Sequence, residues 1–62
     1  MNNYIFNAIR DIIHDAIEED FISEDGIIRD ICECESLNIR FTDIGLAVQI
    51  GGNLFGIAIE QV

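Results

Sequence analysis

His14, Cys32, Cys34 and twelve carboxylates are the side chains of this 62-residue chain whose types could do chemistry. A general base needs a nucleophile or a metal beside it in a cleft. His14 is the single histidine; Asp11 and Asp15 are near it along a helix and Arg10 is one turn back. No nucleophile–base motif accompanies it, so no enzyme is expected, and His14 reads as a solvated helix residue. Cys32-Glu33-Cys34 offers two thiolates, but a structural zinc site takes four ligands with Cys-x2-4-Cys spacing. Packing of at least one thiol as a small hydrophobe fits better. Glu18-Glu19-Asp20 and Glu24-Asp25-Gly26 lack the alternating oxygen ligands and the closing bidentate Glu of a calcium loop. Gly51-Gly52-Asn53 lacks the Lys and the strand–loop–helix frame of a phosphate cradle. Neither metal nor cofactor is expected.

The carboxylates matter through their placement. Residues 11–35 hold ten of the twelve acids, Asp11, Asp15, Glu18, Glu19, Asp20, Glu24, Asp25, Asp30, Glu33 and Glu35, against one base, Arg29. That window alone carries -9, while residues 36–62 carry -1 and residues 1–10 carry +1. Asp11, Asp15, Glu18 and Glu19 stand at i, i+4, i+7 and i+8 and share one strip of a helix. Spread over ~12 Å of axis, they give one charge per ~3–4 Å, close to the ~3.4 Å phosphate spacing along one strand of B-DNA. Like charges at i, i+4 cost a helix a few tenths of a kcal/mol per pair. The chain contains no Lys to relieve them, and Arg10 and His14 fall at the edge of the strip. One reading is an acidic face that keeps a hydrophobic mini-protein in solution. The other is an anionic surface shaped for a cationic partner, and the absence of Lys favours it.

The elements that must position these groups follow from periodicity. Ile5, Phe6, Ile9, Ile12, Ile13, Ala16 and Ile17 recur at helical steps, with Asn2 or Asn3 as N-cap. Asp20 falls on the apolar side of the wheel, so the helix is expected over about 3–20. Residues 24–34 keep helical spacing through Ile27, Ile28 and Ile31, with Ser23-Glu24-Asp25 as a helix start. A strand there, turning at Gly26, is the alternative. Leu37, Ile39 and Phe41, then Ile44, Leu46, Val48 and Ile50, then Phe55, Ile57 and Ile59 alternate with period two. They predict strands at about 36–42, 44–50 and 54–60 in an antiparallel meander. The expected class is α+β, one small domain over 1–62, with the helix stripe covering one sheet face. Gly45, Ala47, Leu54, Gly56 and Ala58 make the other face apolar too. That face is covered by a second helix, meets another chain, or simply fits a tightly twisted sheet.

Composition narrows the partner class. A net charge of -9 repels phosphates, so direct nucleic-acid binding is not expected. Half the residues are hydrophobic, which excludes a disordered acidic tail. The N-terminus lacks a basic, cleavable signal, and two cysteines are too few for a secreted scaffold; reduced thiols in a cytoplasm are expected. The uncharged stretch 44–59 contains a GxxxG spacing at Gly52 and Gly56, but sixteen helical residues span only ~24 Å, short of the ~30 Å hydrocarbon core. A buried hairpin is the better reading. So small a core is marginal alone, leaving a monomer or a homodimer.

A tiny, Lys-free, acidic α+β chain resembles the phage-encoded DNA mimics, in particular the small anti-CRISPR proteins that block type I surveillance complexes. The likeness is one of size and charge, carried by the acids between Asp11 and Glu35. It implies a basic DNA-binding protein or CRISPR effector subunit as partner, competition with DNA or with recognition of the protospacer-adjacent motif, and the host cell cytoplasm as location. Phe21 and Ile22 at the rim would add anchor contacts, or else pack in the core at the helix exit. Two alternatives stand beside it: an antitoxin-like cap on a basic protein, and a homo-oligomeric structural module built on the small-residue sheet face.

Overall fold

A computed structural model describes residues 3–32 and 36–62. Helix α1 spans Asn3–Ile22, a short α2 spans Ile27–Cys32, and strands β1 (Leu37–Phe41), β2 (Gly45–Ile50) and β3 (Asn53–Ala58) follow. The class is α+β, as expected. The readings that fall on Asn2, Glu33, Cys34, Glu35 and the Cys32 thiol lie outside the described residues.

The sheet is an antiparallel meander in the order β1-β2-β3. Val48 stands opposite Ile39 and Phe55, and Leu46 opposite Phe41 and Ile57. Period-two alternation therefore puts Leu46, Val48 and Ile50 on one face, and these three are the buried core, at 2–3% exposure. Gly51 turns the β2–β3 hairpin at φ 60°, a left-handed conformation that costs glycine nothing. The stretch 44–59 is thus a hairpin, and among the described residues no helix is long and apolar enough to cross a membrane.

Helix α1 runs to Ile22 rather than stopping at Asp20. The polar residue on the apolar side marks a cap for the next helix, not the end of its own. The Asp20 carboxylate accepts a hydrogen bond from the Ile28 N–H at 2.9 Å, across the turn between α1 and α2. Gly26 explains the need. Its carbonyl accepts from the Asp30 N–H, the first bond of α2, so it holds the N-cap position, where a Ser or Asp side chain would ordinarily serve. A Cβ at position 26 would overlap the Asp20 carbonyl oxygen. The cap oxygen has to come from elsewhere, and Asp20 supplies it. Ser23, Glu24 and Asp25, expected to open the helix, form the turn instead, with the Asp25 N–H donating to Ser23 Oγ at 3.3 Å.

The stripe of α1 is set differently from expectation. Ile13, Ile17 and Phe21 pack on the core together with Ile28 of α2. Ile5, Ile9 and Ile12 remain 54%, 39% and 67% exposed, and no residue of α1 is fully buried. The helix lies on the row that runs through Phe6, Arg10, Ile13, Ile17 and Phe21. That row is inclined to the wider apolar arc, whose other flank faces outward. Both helices lie on the core side of the sheet. On the opposite face Leu54 and Ala58 are exposed, and among the described residues no element covers it.

Candidate anionic interface

Helix geometry places Asp11, Asp15, Glu18 and Glu19 within an arc of about 100° on the side of α1 opposite the sheet, and all four are exposed. Glu24 and Asp25 extend the acidic run into the exposed turn after α1. Asp30 is exposed on α2. Asp20 is set apart from this group: it is half-buried and one of its oxygens is engaged by the α2 cap. Glu33 and Glu35 lie outside the described residues.

What surrounds the strip decides its electrostatics. Arg10 does not lie along it. The guanidinium turns toward the sheet and sits over the Phe41 ring at 4.2 Å and the Phe6 ring at 5.3 Å. One terminal nitrogen donates to the Thr42 carbonyl at 3.3 Å, joining α1 to the end of β1. Its position one turn after Phe6 on the packed row is the sequence signal for this role, and the wider arc of isoleucines hides it. Among the described residues, the ion pairs of the acids involve His14 alone. Its Nδ1 lies 3.5 Å from Asp15 and its Nε2 3.5 Å from Glu18, both counting as ion pairs only when the imidazole is protonated.

His14 is also not the solvated residue expected. Its side chain is 25% exposed, and the ring packs edge-on against Phe41, centroids 5.4 Å apart at 73°. Phe41 thus receives Arg10 and His14 from successive turns of α1. The ligand atoms of His14, Asp15 and Glu18 come within 4.8 Å of one another. The two carboxylates stand 77% and 52% exposed on an open helix flank.

The strip can therefore do one thing well. It holds carboxylates on a helix at short intervals, with Arg10, the single arginine of α1, directed elsewhere. Such an array suits charge-assisted, partly bidentate pairing with Arg and Lys of another protein. Glu19 and the turn acids complete one margin of it, and Ile22, 75% exposed, stands at its end. Phe21, the other rim candidate, packs on the core. Comparison of the chain with protein-family models, with curated proteins and with solved structures found no match.

Proposed function

We propose that the protein docks the acidic face of α1 and the following turn into a basic, nucleic-acid-handling groove of another protein and excludes the nucleic acid by competition. In its most specific form the reading is that of an anti-CRISPR inhibitor, acting on target-DNA or protospacer-adjacent-motif recognition by a type I surveillance complex. The observation that carries it is the unrelieved run Asp11, Asp15, Glu18 and Glu19, from which Arg10 is withdrawn to the Phe41 ring. A helix that needed only stability would gain a few tenths of a kcal/mol per pair from Lys or Arg four residues after each acid.

Binding would be fast and salt-sensitive, because complementary charge steers encounter over roughly a Debye length of ~10 Å. Ile22 at the end of the strip supplies apolar contact that does not fade with salt. The test is affinity capture from the native host followed by a DNA-competition assay on the captured protein. Capture of a basic DNA-binding protein, displaced by duplex DNA, is the expected result. An antitoxin-like cap on a basic protein would use the same face but would not compete with DNA. Capture of no basic protein would remove both readings.

A further inference from the structure

The free edge of β3 points to a second copy of this chain. We propose that two chains pair antiparallel through β3, about a two-fold axis at Gly56, to form a six-stranded sheet. The inference rests on the sheet and is independent of the acidic face.

Among the described residues β3 is an edge strand, and its hydrogen-bonding parity can be read from the hairpin. The Ile59 N–H donates to the Ile44 carbonyl at 2.8 Å. Antiparallel pairs alternate between bonded and non-bonded, so Ile57, Phe55 and Asn53 also direct their backbone groups at β2, in register with Leu46, Val48 and Ile50. The N–H and C=O of Leu54, Gly56 and Ala58 therefore point outward along the open edge. Natural edges are usually blunted by Lys, Pro, a bulge or a covering element. Asn53–Ala58 contains no charge and no Pro, and its pairing with β2 runs without a bulge.

Self-pairing centred on Gly56 satisfies all three outward residues at once. Gly56 meets its own copy, and Leu54 meets the partner's Ala58, in both directions. The side-chain fit is equally self-complementary. On the outer face the large Leu54 lies beside a small Ala, with two glycines on the axis. On the helix side Phe55 comes next to the partner's Ile57. That side also leaves apolar surface open. Ile17, Ile28, Ile31, Val48, Ile50, Phe55 and Ile57 line an open, wholly apolar hollow of about 280 Å³. Ile31 and Phe55 on its rim are 75% and 46% exposed, and Leu54 on the outer face is 67% exposed.

Charge and area both select a second copy. Residues 44–59 are uncharged in a chain of net charge -9, so this edge offers a basic partner nothing that the helix does not offer better. At about 150–250 Å² for a large apolar side chain, Leu54, Phe55 and Ile31 leave on the order of 350 Å² in water. With the strand backbone, burial approaches about 600 Å² per chain, the lower end of the range for stable interfaces.

Sedimentation equilibrium of the full chain across a concentration series, with amide hydrogen exchange on the same samples, tests the proposal. The expected result is a monomer–dimer equilibrium in which the Leu54, Gly56 and Ala58 amides become protected as dimer forms. The dimer should tighten as salt rises, because the two acidic helices repel. Gly56→Pro removes the central outward N–H and should reduce association at least tenfold. Gly56→Ala, whose Cβ meets no atom within 4 Å, should leave association within twofold. A monomer at every concentration and salt overturns the proposal. So does a dimer whose three edge amides still exchange freely, which would place the contact elsewhere, for instance on Ile5, Ile9 and Ile12. The wild-type exchange pattern decides the matter even if the proline variant fails to fold.

Discussion

Asp20 and Ile28 are joined by a 2.9 Å hydrogen bond from the Ile28 amide to the Asp20 carboxylate, and this bond is where the two helices become one unit. Asp20 belongs to the acidic run by sequence but to the scaffold by structure. It satisfies an N–H that α2 cannot satisfy itself, because the N-cap is Gly26 and a larger residue there would strike the Asp20 carbonyl.

Removing that oxygen has a defined cost. Loss of an N-cap acceptor destabilises by about 1 kcal/mol, which for a domain of this size lowers the melting temperature by roughly 4–8 °C. Asp20→Ala is expected to show that loss in a thermal melt followed by circular dichroism. Asp20→Asn, which keeps an acceptor oxygen, should recover most of it. If the two variants melt together at the wild-type temperature, Asp20 does not hold α2.

Asp15 and Glu19 should behave in the opposite way. Both are exposed, and reversing them to Lys relieves like-charge repulsion on α1. Stability is expected to stay the same or rise by a few tenths of a kcal/mol. Capture of a basic partner should be abolished, whereas Asp20→Asn should leave it intact. This double dissociation separates a recognition surface from a scaffold. Normal capture by an Asp15→Lys, Glu19→Lys double variant would leave only a solubilising role for the strip.

Arg10 makes a third distinction. Its guanidinium lies over two rings and donates to the Thr42 carbonyl. A partly desolvated cation–π contact contributes about 1–2 kcal/mol, so Arg10→Ala is expected to lower stability by about that much in urea titrations. Arg10→Lys should restore only part, since an ammonium cannot lie flat on Phe41 while bonding Thr42. Wild-type stability in Arg10→Ala would mean that the arginine is free to screen the acids, and the electrostatic argument for the strip would weaken.

The strands were legible because period-two alternation in Leu46, Val48 and Ile50 admits one buried face. The ends of the helices were not, because they turn on contacts between distant residues. Asp20 on an apolar stripe reads locally as a helix end, and only the Ile28 amide eight residues on shows it to be a cap. Ser23 before Glu24 and Asp25 reads as a helix start, yet glycine at 26 moves that start onward. The acidic strip followed directly from i, i+4 spacing, since exposed residues on a long helix obey its geometry alone. The packing of Arg10 and His14 was not legible, because Phe41, 31 and 27 residues further along, draws both toward the sheet.

The same limit applies to Ile12 and Ile13, adjacent members of the apolar stripe with opposite fates, and it can be tested by paired truncation. Ile13 and Ile17 pack against the core, whereas Ile12 is 67% exposed. Truncating a buried isoleucine to alanine costs about 2–5 kcal/mol; Ile17 is only half-buried, so Ile17→Ala is expected near the lower end, about 2 kcal/mol. Ile12→Gln, by contrast, should shift stability by less than about 0.5 kcal/mol, as for ordinary surface positions. Urea midpoints measured at low chain concentration isolate the monomer and check both values. A large loss for Ile12→Gln under those conditions would mean that α1 is rolled about its axis, burying the Ile5, Ile9 and Ile12 flank and moving the acids off the face opposite the sheet.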